Sequence, residues 1–248
     1  MIVIPDVHGR TFWKEAVKNR KPREKVIFLG DYLDPYPNEN LPWEQVWGTF
    51  NEIIEYKKKH PKTTILLLGN HDTRYLYGYG CAPRHDYFHD RQIRELFQKN
   101  KNLFQLAYRK KIGKKDFIFS HAGIHKRWIE DWFGKDVTKK NVVDYLNNLY
   151  LVEPPHLPGA LDQLSAYRGG WESYGSILWA DIQEWFRSSE NYYGDVQVFA
   201  HTQLRDTPIN INDVYYDLDV RRGFRVDEEG NVCEMDGTLI KKTEIKKL

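Results

Sequence analysis

Lys25-Val26-Ile27-Phe28-Leu29-Gly30-Asp31-Tyr32-Leu33-Asp34 contains the plan of the chain. An apolar run with no alternating polar positions reads as a strand covered on both faces, the pattern of parallel sheets packed under helices. It stops at a glycine, and carboxylates follow. The same arrangement lies upstream, where Met1-Ile2-Val3-Ile4-Pro5 leads into Asp6-Val7-His8, and downstream, where Thr63-Thr64-Ile65-Leu66-Leu67-Leu68 leads into Gly69-Asn70-His71-Asp72. Between these runs lie helical stretches. One covers roughly Arg10 to Asn19, with Phe12, Trp13, Ala16 and Val17 on one face, and another covers about 43 to 59. Strand, helix, strand, helix, strand predicts parallel strands joined by helical crossovers.

Further along, Asp116-Phe117-Ile118-Phe119 runs into Ser120-His121-Ala122-Gly123, and Val196-Gln197-Val198-Phe199 into Ala200-His201-Thr202. With Asp213 to Asp219 and the hairpin-like Gly223 to Ile240, these predict a second, more antiparallel sheet, packed on the first with helices outside. The ligand-bearing segments span residues 6 to 201, so we read one domain over 1–248. Its helical and loop insertions fall at about 73–105 and 124–190, and Glu153-Pro154-Pro155-His156-Leu157-Pro158-Gly159 interrupts any helix beside the cleft.

Composition narrows the function. Of 248 residues 41% are hydrophobic, enough for a sizeable core, and the net charge of +2 with 29% charged residues describes a mixed surface. The clusters Lys57-Lys58-Lys59, Arg109-Lys110-Lys111 and the tail with Lys241, Lys242, Lys246 and Lys247 are short and scattered, so no specific nucleic-acid binding is expected. Cys81 and Cys233 make no disulfide framework. No signal peptide is visible, and no apolar stretch approaches the ~20 residues of a membrane helix, so a cytoplasmic location without membrane attachment is expected. Oligomeric state is left open.

Asp6 and His8, two apart at a strand end, point to the same side and can share a divalent ion. Taken alone, Asp-x-His reads as readily as a loop aspartate and a surface histidine. Asp31 and Asp34 are three apart, and a carboxylate with two oxygens can bridge two cations, so one of the pair suits a two-metal centre; Asp34 alone could equally open a turn. Asparagine is a weak ligand, recruited where other groups already hold an ion. If Asn70 ligates, His71 is left free as a proton donor, its tautomer held by a carboxylate such as Asp34. His121 and His201 end two similar apolar runs, and that repetition marks them as metal ligands.

The set Asp6/His8, Asp31/Asp34, Asn70/His71/Asp72, His121 and His201-Thr202 resembles the calcineurin-like metallophosphoesterases, nearest their phosphoprotein phosphatase (serine/threonine phosphatase-like) branch. Ile177-Leu178-Trp179-Ala180-Asp181 and Leu218-Asp219 resemble further elements of that branch. The resemblance implies an α/β fold, a four-layer αββα sandwich of two mixed β-sheets flanked by helices. It implies that Asp6, His8 and Asp31 hold one ion, that Asp31, Asn70, His121 and His201 hold the other, and that His71 assisted by Asp34 is the general acid. The expected cofactors are two divalent or mixed-valence ions, manganese foremost, with iron and zinc also suited to the donors.

Pro35, Leu68 and Ala200 stand where that branch often has arginine, arginine and glycine. Arg74 and Arg168 are the expected replacements for gripping phosphate, since a guanidinium can hold its oxygens in pairs. The implied activity is hydrolysis of phosphate esters by attack of a metal-bridging hydroxide, the partner being a phosphoprotein, a nucleotide or a small phosphoester. A nucleotide or dinucleoside-polyphosphate hydrolase is the rival, with Tyr75, Tyr77, Tyr79, Tyr87 and Phe88 available to stack a base, although packing under long loops explains these rings better. A non-catalytic metal-binding scaffold is the minor alternative.

Overall fold

A computed structural model describes residues 1–78, 80, 83–187 and 193–244. Tyr79, Cys81, Glu190, Lys246 and Lys247 lie outside the described residues. The strands are β1 (Ile2–Ile4), β2 (Val26–Phe28), β3 (Thr64–Leu67), β4 (Phe104–Gln105), β5 (Ala107–Ile112), β6 (Lys115–Ser120), β7 (Val196–Phe199), β8 (Ile209–Ile211), β9 (Tyr215–Asp217), β10 (Phe224–Val226) and β11 (Val232–Glu234). The helices are α1 (Phe12–Lys18), α2 (Trp43–Lys59), α3 (Asn70–Tyr77), α4 (Asp90–Lys99), α5 (Lys126–Phe133), α6 (Val142–Val152), α7 (Leu157–Leu161) and α8 (Ile182–Arg187). The expected insertion at 73–105 holds most of α3 and all of α4, and its last two residues are β4.

Two mixed sheets form, in the orders β11-β10-β1-β2-β3-β4 and β5-β6-β7-β9-β8. In the first, β1 through β4 run parallel, as the strand–helix alternation predicts. The Gly223 to Ile240 hairpin does not join the second sheet as expected. It pairs antiparallel with β1, Ile2 opposite Arg225 and Val3 opposite Phe224, and so covers what would be a free edge. The second sheet is antiparallel only at its flanks, since β6, β7 and β9 run parallel through its middle.

Burial follows the period of two. Val3, Ile27, Leu29, Ile65 and Leu67 pack with Phe117, Phe119, Val196, Val198, Tyr216 and Phe224 in the layer between the sheets. Ile2, Ile4, Val26, Phe28, Leu66 and Leu68, one residue out of phase, face Trp13, Val46, Phe50 and Ile53 of α1 and α2. A strand buried on both faces cannot slip register without moving its whole side-chain set, which holds the strand ends in place. Those ends carry the site.

Candidate metal centre

Asp6, His8, Asp31, Asp34, Asn70, His71, His121 and His201 are all buried where β1, β2, β3, β6 and β7 end. Four of them have left-handed backbone, with φ of 46° at His8, 52° at Asp31, 58° at Asp34 and 73° at His201. Such conformations cost on the order of 1 kcal/mol or more each and persist only where the surroundings enforce them. Backbone bonds enforce them here. The N–H groups of Val7 and His8 donate to the Asp31 carbonyl at 3.0 and 2.8 Å. Asp72 accepts from the N–H groups of Gly69 and Asp31 at 2.8 Å each and from that of Tyr32 at 3.1 Å, which ties the β2 loop to the β3 loop.

The two loops touch closely. A Cβ at Gly30, whose φ is +110°, would stand 2.4 Å from the Gly69 nitrogen, and a Cβ at Gly69 would stand 2.1 Å from Asp31 Oδ1. Only glycine allows this contact, which sets Asp31 directly against the β3 loop.

The donor set fits metal ions. His8 Nδ1 lies 2.6 Å from the Leu33 carbonyl and His121 Nδ1 2.9 Å from the Leu29 carbonyl, so each Nδ1 carries the proton and each Nε2 is a bare lone pair facing inward. His121 Nε2 then stands 3.0 Å from Asn70 Oδ1 and 3.0 Å from His201 Nδ1. Asn70 Oδ1 and the His121 Nε2 lone pair are both acceptors, and a cation reconciles two acceptors at that distance, whereas His201 Nδ1 accepts or donates according to its tautomer. Asp31 Oδ2 is 3.6 Å from His121 Nε2 and 3.7 Å from His8 Nε2, and Asp6 Oδ2 is 3.8 Å from His8 Nε2. Metal bonds of about 2.0–2.2 Å put ligand atoms about 3–3.6 Å apart, so small inward movements would close the set. Asp6 Oδ1 and His201 Nε2 are buried without a hydrogen-bond partner. Among the described residues, Asp31 belongs to both groups of histidines and acidic residues that could hold an ion, His8 with Asp31 and His71, and Asp31 with His121 and His201.

Electrostatics agree. Burial pushes the Asp6 carboxyl well above the usual range, with Asp219, Asp31 and Asp217 adding repulsion. Burial likewise raises Asp31 to about 7, against the pull of His71. Burial lowers His121 to about 3 and holds His8 and His201 well below their ordinary values. The histidines are therefore in the neutral form that ligates, and a bound cation is what would keep so many buried carboxylates ionised.

Beside the donors, His71 Nδ1 donates to Asp34 Oδ2 at 2.7 Å, and the Tyr75 hydroxyl donates to Asp34 Oδ1 at 2.5 Å. Arg84, which the sequence reading did not single out, donates from Nη2 to His71 Nε2 and from Nε to the Asp34 carbonyl, both at 3.2 Å. Its guanidinium lies over the Tyr36 ring at 3.9 Å. No motif marks Arg84, which sits in the loop between α3 and α4. Arg168 is held at the His201 side, with Nε 2.8 Å from Asp181 Oδ2 and Nη2 donating to Thr202 Oγ1 at 2.7 Å. Arg74 opens onto a small cleft shared with Asn70, Thr73, Pro158 and Leu161, and the guanidinium on His71 is Arg84's instead. Asp217, also missed, is buried near Asp6 with Oδ2 unpaired. Tyr75 is buried on Asp34 and cannot stack a base, whereas Tyr87 and Phe88 are exposed.

Comparison with known proteins accords with this geometry. The family model for calcineurin-like phosphoesterases matches residues 1–205, and the chain belongs to that family. It is a metal-dependent phosphoesterase. Among solved structures it is similar to a cold-active protein-tyrosine phosphatase of the psychrophile Shewanella sp., with TM-score 0.66, 14% identity, and coverage of 97% of this chain and 80% of that one. It is also similar to a protein serine/threonine phosphatase from Saccharomyces cerevisiae with similarity to human phosphatase PP5, with TM-score 0.50, 15% identity, and coverage of 93% and 70%. At such identities the likeness concerns the fold. A search of curated proteins finds no significant match. Among the described residues no helix is long and apolar enough to cross a membrane.

Proposed function

We propose that the chain is a dinuclear-metal phosphomonoesterase working by the serine/threonine-phosphatase type of mechanism, with Asp6, His8 and Asp31 holding one ion and Asp31, Asn70, His121 and His201 the other. The observation that carries this is the placing of Asp31 Oδ2 between His8 Nε2 and His121 Nε2, at 3.7 and 3.6 Å. When bound, the ions supply Lewis acidity for activating water and for neutralising charge on the ester. Manganese is the ion we expect to serve best, and the donors also suit iron and zinc.

The protein's own groups do the rest. The acid form is the doubly protonated His71 ring: its Nδ1–H stays on Asp34, and its Nε2–H, once Arg84 turns to the phosphate, is the proton that the leaving oxygen receives, leaving the ring neutral. Arg84 on His71 and Arg168 on Thr202 can hold the non-transferring phosphate oxygens, with Arg74 beside Asn70 as a third candidate. Backbone ties through Asp72 keep Asp31 and His71 at fixed separation, His71 N–H donating to Asp31 Oδ1 at 3.1 Å. No side chain needs to form a covalent bond to phosphorus. The rival nucleotide hydrolase loses one of the rings available to stack a base, because Tyr75 is committed to Asp34.

Metal content and phosphoester hydrolysis, measured together on wild type, Asp31→Asn and His71→Asn with manganese, iron and zinc supplied in turn, test the proposal. Wild type should bind two ions per chain and hydrolyse the ester. Asp31→Asn should lose metal and activity together, and His71→Asn should keep the metal while losing about 10²–10⁴ in kcat. Wild type inert with every ion and a range of esters would overturn the catalytic reading.

A further inference from the structure

A groove of about 370 Å³ runs away from the proton donor, bounded at its inner end by Asp34 and Arg84 and walled by Leu33, Pro35, Leu41, Trp43 and Ile93. That size is within the range of small-molecule sites. Its walls come from three separate pieces of chain: the turn after β2, the start of α2, and the segment from Arg84 into α4.

We propose that this groove is the leaving-group subsite and that it takes an aromatic or bulky apolar group, so that the enzyme prefers phosphate esters of aromatic-bearing alcohols. The inference rests on the phosphoesterase reading and goes beyond it by naming the substrate class. Position is the first argument. His71 Nε2 is where the departing oxygen would take its proton, and Arg84, 3.2 Å from that nitrogen, lines the inner end of the groove. A group attached to that oxygen, with phosphorus held on the metal side, extends past Arg84 into the groove.

The second argument is what the walls offer. Most of the polar atoms are already paired: His85 Nε2 with Asp90 at 2.9 Å, and Asp86 with the His89 ring at 2.8 Å and with the N–H groups of Phe88 and His89 at 3.0 Å each, while His85 Nδ1 is buried without a partner. Proline has no N–H to present, so Pro35 adds only apolar surface and a carbonyl. Trp43 is held rigid by stacking on His89, with ring centres 3.7 Å apart and planes at 2°, and by Trp47 on another side. A preformed apolar wall with few free hydrogen-bonding groups favours a flat apolar occupant over a hydroxylated or charged one.

The test compares ethyl phosphate with 2-phenylethyl phosphate, whose leaving alkoxides have nearly the same basicity, so that any preference reports binding of the ring. Wild type should show a kcat/KM ratio favouring the phenylethyl ester by at least about tenfold. Trp43→Ala should reduce that ratio about fivefold or more, and Leu41→Gln, which keeps the volume and makes the wall polar, should reduce it in the same direction. Losses common to both esters, including any from altered folding, cancel in the ratio. A wild-type ratio near one, or a ratio unchanged in both variants while both esters are hydrolysed, would overturn the groove assignment and leave the phosphoesterase reading standing. Inert wild type with either ester and every ion would overturn both.

Discussion

Tyr75 donates its hydroxyl to Oδ1 of Asp34 at 2.5 Å, while Oδ2 of the same carboxylate receives the His71 proton at 2.7 Å. Each oxygen of Asp34 therefore has one fixed task, and the orientation of the proposed proton donor depends on a tyrosine one helical turn farther along α3. Removing the hydroxyl leaves Asp34 free to rotate. Tyr75→Phe should lower kcat about tenfold on an alkyl ester and leave metal stoichiometry intact, whereas Asp34→Asn, whose amide can donate to Nδ1 and invert the tautomer, should cost about 10²–10⁴. Equal kcat in wild type and Tyr75→Phe would show that packing alone orients Asp34.

Arg84 should act on the substrate and not on the metals. We expect Arg84→Ala to lower kcat/KM about 10–100-fold with two ions still bound, and Arg84→Lys, which keeps charge and loses the fork, to recover only part of it. Steady-state kinetics beside metal analysis decide the matter, and an unaltered kcat/KM would remove Arg84 from phosphate binding.

Gly69 tests the closeness of the loops. Its φ of −102° is open to alanine, so the added methyl acts only through space, where it would meet Asp31 Oδ1 at 2.1 Å. Gly69→Ala should weaken metal binding at least about tenfold and lower activity with it. Titration of metal into the apo variant, with circular dichroism as the check on folding, reads the effect.

His125 gives a pH dependence separate from the metal centre. Burial, aided by Arg127, lowers its ring from 6.5 to about 4, and its neutral Nδ1 accepts the Arg127 N–H at 3.2 Å as the N-cap of α5. The folded state thus disfavours the proton that the unfolded chain binds near pH 6.5. The stabilisation is complete above that pH and is lost as pH falls toward 4. Solvent reaches part of the ring, so we expect about 1 kcal/mol over this window. Urea unfolding of wild type and His125→Asn between pH 4 and 7 should show a shallower loss in the variant, whose amide caps without titrating. Parallel curves would exclude the ring as a source.

Much of the fold and the candidate site could be read locally. A buried parallel strand is an apolar run whose end is a loop, so Ile2–Ile4, Val26–Phe28 and Thr64–Leu67 announced themselves, and the polar residues just beyond them were candidates before any contact was known. Neighbouring parallel strands end on the same side of a sheet, which is why Asp6, Asp31 and Asn70 meet there without any insertion to guide them.

Contacts set by the path of irregular chain were decided only by the tertiary structure. Arg84, thirteen residues beyond His71 in the chain, reaches it from a position over the Tyr36 ring, and Tyr75 meets Asp34 because α3 starts at the β3 end and lies against the β2 loop. The terminal hairpin chose the edge of β1 over the second sheet, although its alternating residues suit either, because Phe224 and Val226 complete the layer between the sheets from that edge. Period and strand ends are properties of a few adjacent residues. Edges, loop returns and the wall of a groove depend on side chains far apart in the chain, and only the packed molecule brings those together.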